Sequence, residues 1–206
     1  MNLSARTASS ARMNPTHDAM RTQLVAIVRG SGWFMRALEA VRALHLKSWC
    51  IGAGAVRNLV WDHLHGFGQP SALSDVDVAY FDPDDLRPET EAQLQTLLAA
   101  RAPDMPWEVT NQAAVHLWFE AHFGHAASAL GSLEEAVASW PEYATAVGIV
   151  FTEGSAIDII APHGLQDLFD IRVRRNPARV SVETYRLRVA EKRYAERWPR
   201  VSVIAC

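Results

Sequence analysis

The segment Asp75-Val76-Asp77-Val78-Ala79-Tyr80-Phe81 begins with strict polar–apolar alternation. That pattern is a half-buried strand. Side chains on a strand alternate faces, so Asp75 and Asp77 share one face while Val76 and Val78 point into a core. Two carboxylates on one face repel each other unless a cation sits between them. Hard divalent ions such as Mg²⁺ take oxygen ligands and keep positions free for substrate phosphates. A third carboxylate on an adjacent strand would complete a two-metal clamp, with ions roughly 3.5–4 Å apart. Asp158, in Ala156-Ile157-Asp158-Ile159-Ile160, is the candidate. It is flanked by isoleucines in an otherwise buried-looking strand, where an unpaired carboxylate is costly and implies a partner or a metal.

A glycine turn precedes the acidic pair. Cys50-Ile51-Gly52-Ala53-Gly54 leads from a short apolar strand into a helix. Gly52 and Gly54 let backbone N–H groups approach an oxyanion closely at a helix start. Arg57, one turn in, adds a fixed positive charge suited to a triphosphate. A dinucleotide fingerprint fits less well. Arg57 stands near the place of the third glycine, and the loop Gln69–Ser74 precedes Asp75, whereas a ribose-binding acid ends its strand. Taken singly, each residue has a plain structural alternative. Asp75 is a cap or a solvated loop residue, Asp158 a salt-bridge partner of an arginine in the last segment, and Arg57 an exposed helix residue or an internal pair. Their joint occurrence, in this order, favours a site for a nucleoside triphosphate and a metal.

The rest of the chain reads as α/β (α+β), a mixed sheet flanked by helices with further helices at both ends. Two helices are expected between His17 and Leu46, split at Gly30-Ser31-Gly32, and a third over Ala55–His65, stopped by Gly66 and Gly68. Asp82-Pro83-Asp84-Asp85 turns the chain into a helix ending near Ala100, and Pro106–Gln112 is a strand with its exit loop. Ala113–Phe123 is helical. Ser132 and Glu135 form a capping-box pattern. Two apolar strands flank Glu153-Gly154-Ser155 as a hairpin. Arg172–Arg179 is a basic linker and Ser181–Arg197 a last amphipathic helix. Residues 1–16 are expected to be a weakly ordered lead-in, and 17–206 a single domain, as 206 residues at 49% hydrophobic allow. The net charge of −3 advertises no nucleic-acid footprint. Two distant cysteines, no secretory signal and no apolar run near 18 residues suggest a cytoplasmic protein.

Further candidates carry less. Asn111 and Gln112 offer hydrogen bonds to a base or acceptor at the lip of the site, or simply form a turn. His116 suits packing better than base catalysis, and Thr145 is a polar residue near the site. Asp62, His63 and His65 do not share a helix face, which argues against zinc. The run Arg172, Arg174, Arg175 with Arg179 suits either an anionic acceptor or a solvated linker.

These residues resemble a family. Gly-Ala-Gly-Ala-Val-Arg-Asn, Ser-Asp-Val-Asp-Val-Ala-Tyr-Phe and Ala-Ile-Asp-Ile-Ile look like the DNA polymerase β-type nucleotidyltransferase superfamily. The first two are particularly similar to the head of tRNA CCA-adding enzymes. From about Trp49 to Pro199 the chain looks like a bacterial family of nucleotidyltransferase-like proteins of unassigned substrate. The resemblance implies a mixed-sheet nucleotidyltransferase fold, with Asp75 and Asp77 as ligands of two Mg²⁺ (or Mn²⁺) ions. It makes Asp158 the carboxylate that activates the acceptor hydroxyl and the third metal-site acid. Gly52 and Gly54 would face the triphosphate. Gly-Ala-Gly replaces the usual adjacent glycines, and Asn58 stands where the tRNA enzymes have Asp. The long helical tRNA-binding body of the CCA-adding enzymes is missing from the resemblance, so their substrate is not carried over. The expected reaction moves a nucleoside monophosphate from a triphosphate to an unidentified hydroxyl of RNA, protein or a small molecule. The alternatives are a silent nucleotide-binding regulator and, more weakly, a phosphohydrolase.

Overall fold

The computed structural model describes residues 15–152 and 154–206. Helices α1 (Pro15–Gly30) and α2 (Gly32–Arg42) are split at Ser31, whose hydroxyl oxygen accepts from the Phe34 N–H and caps α2. Strand β1 (Trp49–Gly52) runs into α3 (Ala53–His65), which ends on Gly66 in the left-handed region. Then come β2 (Val76–Tyr80), α4 (Pro88–Arg101), β3 (Trp107–Asn111), α5 (Val115–Phe123) and α6 (Leu133–Ala138). The hairpin is β4 (Gly148–Phe151) and β5 (Ile157–Ile160). The chain continues through α7 (Gln166–Phe169), β6 (Arg172–Val173), α8 (Val182–Lys192), α9 (Tyr194–Arg197) and β7 (Ser202–Val203).

Five strands form a mixed sheet in the order β3-β2-β1-β4-β5. Only β2 and β3 are parallel, as their connection through α4 requires. Alternation sorts the two faces. Ile51, Val76, Val78, Tyr80, Val109 and Ile149 pack with α1, α2 and α3 through Leu24, Val28, Phe34, Leu38, Val56 and Val60. Trp61 of α3 meets Trp198 edge-on, ring centroids 5.2 Å apart, and ties the C-terminal segment to this core; such a pair adds about 0.5–1.5 kcal/mol beyond its buried area. The other face is thinly covered. Cys50 and Ala79 meet Leu133 and Val137 of α6, and beyond them the sheet carries polar side chains.

The β3 edge is closed from outside. The Val109 and Asn111 N–H groups donate to Gln95 Oε1 at 3.2 Å and Glu91 Oε1 at 2.6 Å, both on α4, so the ladder offers no free edge there.

The structure bears out the expected fold class. The differences are local. The last helix expected over Ser181–Arg197 is broken at Arg193, whose φ of +45 ends α8 and starts α9. Arg172-Val173 is a short strand rather than linker, pairing in parallel with β7, because two residues are too few to show a period. The lead-in expected over residues 1–16 lies almost wholly outside the described residues, and α1 already starts at Pro15. Among the described residues, no helix is long and apolar enough to cross a membrane.

Candidate active site

Strand β1 delivers the chain into the glycine turn. A Cβ at Gly52 would overlap the Trp140 ring and stand 2.9 Å from the Val147 carbonyl oxygen, so no larger residue fits. Ala53 takes the left-handed conformation, φ +49, which costs an L-residue roughly 1–2 kcal/mol. Gly54 lies where three functional groups meet. A Cβ there would sit 3.7 Å from Asp75 Oδ1, 3.8 Å from Arg57 Nη2 and 4.0 Å from Asp77 Oδ2. Those separations leave a small open cradle, and the Gly54 N–H beside Asp77 favours its charged form.

Asp75 immediately precedes β2 and Asp77 is its second residue. On the parallel neighbour, Glu108 pairs in register with Asp77. The three carboxylates load one another with negative charge. Burial first, then the charges of Asp75 and Glu108, pushes the Asp77 carboxyl up to about 7; the Gly54 N–H and Lys192 act in the opposite direction. Burial and Asp75 also raise Glu108, with Lys192 opposing.

Four cations, Arg57, Arg188, Lys192 and Arg197, share with these acids a cavity of about 290 Å³ that Gly54, Thr110, Gln112 and Trp140 also line. Arg57 is 5% exposed and forms no ion pair among the described residues. Its Nη2 and Nε donate to Asn58 Oδ1 at 2.7 and 3.2 Å, and the rings of Trp61, Tyr194 and Trp198 surround it at 5.1–5.6 Å. Burial lowers its pKa, against the charge of Glu142. An almost fully buried guanidinium whose nearest acceptor is a neutral amide is poised for an anion. Arg188 is held from behind: its Nε donates to Glu142 Oε1 at 3.0 Å, while the Thr145 hydroxyl donates to Oε2. Arg197 donates to the Ala72 carbonyl, and Lys192 forms no ion pair among the described residues.

The structure brings Gly54, Arg57, Asp75 and Asp77 together, with Gly52 backing the Trp140 ring rather than lining the cavity. It does not bring Asp158. That residue sits on the edge strand β5 opposite Val150, and β5 lies three strand spacings from β2, roughly 14 Å. Its side chain is 66% exposed and pairs with Arg21 of α1 at 3.5 Å. The isoleucines beside it suggest burial, but an edge strand leaves one face in water. Asn111 is also spent elsewhere. Its amide nitrogen donates to the Asp82 and Asp85 carbonyls, and its oxygen accepts from the Asp82 and Ala113 N–H groups. It locks the turn after β2 and does not line the cavity. The basic run is likewise occupied: Arg172 and Arg174 pair with Asp167, and Arg175 donates to the Val180 carbonyl. Asp62 is a structural acceptor for Ser71 and the Trp198 indole.

Glu108 and the cations of α8 and α9 escaped sequence reasoning. A signal for Glu108 existed. One helix joins β2 to β3, and strands so connected run parallel and are commonly neighbours; alternation with the apolar Trp107 and Val109 then sets Glu108 and Thr110 on the face of Asp77 and Ala79.

The donor set fits a hard divalent cation. Asp75 and Asp77 supply only oxygens, their mutual repulsion asks for positive charge, and the Gly54 cradle between them is open. Among the described residues no three His, Cys, Asp or Glu side chains form a closed metal cage. Mg²⁺ is usually held by one or two carboxylates together with substrate phosphates, and the Asp75–Asp77 pair would be of that kind.

A mixed five-stranded sheet with a carboxylate pair beside a glycine turn defines a nucleotidyltransferase head. A family model described as nucleotidyltransferase matches residues 39–203, and the chain belongs to that family. An NMR structure described as revealing a CCA-adding enzyme head domain is 28% identical with a TM-score of 0.77; the match covers 90% of this chain and 96% of that one. Two apo structures of a tRNA-processing enzyme align at 17% and 18% identity with TM-scores of 0.46 and 0.47. They cover 94% and 81% of this chain, which spans 45% and 44% of theirs. No protein of curated function matches the chain.

Proposed function

We propose that the chain transfers a nucleoside monophosphate from a nucleoside triphosphate to an acceptor hydroxyl, with release of pyrophosphate. One observation carries this: Asp75, Asp77 and Glu108 line a single cavity together with Arg57, Arg188, Lys192 and Arg197. A triphosphate bound with a divalent cation needs both sets of charges. Asp75 and Asp77 would hold Mg²⁺ or Mn²⁺, which neutralises phosphate charge when bound.

The chain's own groups do the rest. The acceptor oxygen forms a bond to the α-phosphorus as the bond from that phosphorus to the β-phosphate oxygen breaks. The acceptor's proton passes to the Glu108 carboxylate. Pyrophosphate leaves toward Arg57, Arg188, Lys192 and Arg197, whose charges are fixed before the reaction begins.

The test is incubation with each α-labelled nucleoside triphosphate and Mg²⁺ or Mn²⁺, offering cellular RNA, protein and small molecules as separate acceptor pools. Label transfer with stoichiometric pyrophosphate, lost in Asp75→Ala and Asp77→Ala, is expected. Tight metal-dependent nucleotide binding without transfer to any pool would leave a regulator instead.

A further inference from the structure

The cavity has two chemically different sides. Its cations arrive from α3, α8 and α9, and β3 brings none. What β3 brings is a row: Glu108, Thr110 and Gln112, alternate residues on one face. Alternate strand residues are roughly 6.6 Å apart, so the row runs about 13 Å away from the level of Asp77. The Gln112 N–H donates to the Tyr80 carbonyl at 2.7 Å, which carries the ladder as far as this residue.

Gln112 is 9% exposed, yet its side-chain amide has no hydrogen-bonding partner among the described residues, and it lines the cavity. The Thr110 hydroxyl is also without a partner among the described residues and lines the same cavity. Their neighbour Asn111 shows the contrast, with every amide atom engaged in the turn after β2. Gln112 is nine-tenths buried and Thr110 half-buried, and two side chains of one row that keep their polar groups unpartnered and open on a cavity mark a ligand's place.

Resting on the transfer reading above, we propose that Thr110 and Gln112 form the acceptor subsite, and that it takes an uncharged, polyhydroxylated small molecule whose reacting hydroxyl lies at Glu108. A primary amide offers two donors and an acceptor, and a threonine hydroxyl one donor with acceptor capacity. That set matches neighbouring hydroxyl groups, which both give and receive. A nucleic-acid strand brings a phosphate with every residue and is held by cations along its path; β3 supplies none. Gln112 and Thr110 act here as specificity-determining residues, setting which hydroxyl meets Glu108.

The test follows the Gln112 side-chain amide resonances by NMR in the full chain, saturated with Mg²⁺ and whichever α,β-methylene nucleoside triphosphate binds. Glycerol, ribose and glucose are titrated as neutral probes, ribose 5-phosphate and an RNA tetranucleotide as charged ones. At least one neutral polyol should shift these resonances saturably. Its affinity, read in parent and variant alike by calorimetric titration of the analogue-saturated chain, should fall at least tenfold in Gln112→Met, with the analogue's affinity unchanged, and Thr110→Val gives the same reading if Gln112→Met does not fold. Resonances unmoved by every neutral probe, equal polyol affinity in the variants, or saturation by RNA instead would overturn the proposal while leaving the transfer reading intact. Failure of every triphosphate analogue to bind would overturn both.

Discussion

Asp77 and Glu108 stand opposite each other in the parallel β2–β3 ladder, on the face of the sheet that α6 leaves uncovered. The pairing puts a third acid beside the Asp75–Asp77 pair without using the distant hairpin. It also aligns the acid with the open row that ends at Gln112.

Replacing Glu108 by Gln keeps its size and removes its proton-accepting charge. General-base contributions run to about 10²–10⁴-fold. The expected result is a loss of that order in single-turnover label transfer, with analogue affinity within a few-fold of the parent. Unchanged transfer would assign the proton to another group.

The acid cluster predicts an unusual pH response in the metal-free chain. The Asp77 carboxyl rises from an ordinary 3.8 to about 7 on folding, and Glu108 and Glu91 shift in the same direction. Between those values the folded state binds more protons than the unfolded one, so this stability is full below about pH 4 and lost as pH rises through 7. Asp85 shifts the other way, held down by Arg87 and Thr90, but its contribution is complete above the ordinary carboxylate range. Denaturant titrations should show stability falling from pH 5 to pH 8, with Asp77→Asn flattening the slope. Millimolar Mg²⁺ should raise stability most at the alkaline end, where the carboxylates are ionised.

Arg57 is held by a neutral amide, and that neutrality has consequences. Asn58→Asp would pair the guanidinium with a carboxylate and add a negative charge beside the triphosphate. Charge-assisted hydrogen bonds contribute about 1.5–3 kcal/mol. Calorimetric titration with an α,β-methylene triphosphate and Mg²⁺ should show affinity reduced by about 10- to 100-fold in Arg57→Met, and reduced in the same direction by Asn58→Asp.

Ala53 holds a left-handed conformation that glycine adopts freely. Relief of roughly 1–2 kcal/mol, less about 0.5–1 kcal/mol for glycine's extra unfolded freedom, leaves Ala53→Gly stabilised by about 0.5–1 kcal/mol. Thermal unfolding checks this. Gly54→Ala tests the adjoining cradle: its methyl fits the space between Asp75, Asp77 and Arg57, so the fold should survive while triphosphate affinity falls.

Much of the site was legible because it is local. The glycine turn, Arg57 and the Asp75–Asp77 alternation lie within a short stretch, and each follows from helix starts or strand period. The hairpin was legible for the same reason, and so was the last helical segment, though not its break at Arg193. What could not be read was non-local. Asp158 looked buried because isoleucines flank it, and only strand order reveals β5 as an edge paired to α1. Arg188, Lys192 and Arg197 sit on helices that were foreseen, but which face turns toward Asp77 depends on Trp198 packing against Trp61. Asn111 and Gln112 adjoin in sequence and part company in space, since alternation sends one into the turn and the other to the cavity.

The most direct test compares Asp77→Asn with Asp158→Asn for transfer of label from an α-labelled nucleoside triphosphate in the presence of Mg²⁺. The account predicts that Asp77→Asn abolishes transfer while Asp158→Asn, altering an exposed acid paired only with Arg21, retains it within a few-fold of the parent. Transfer lost in a folded Asp158→Asn, or retained in Asp77→Asn, would contradict it.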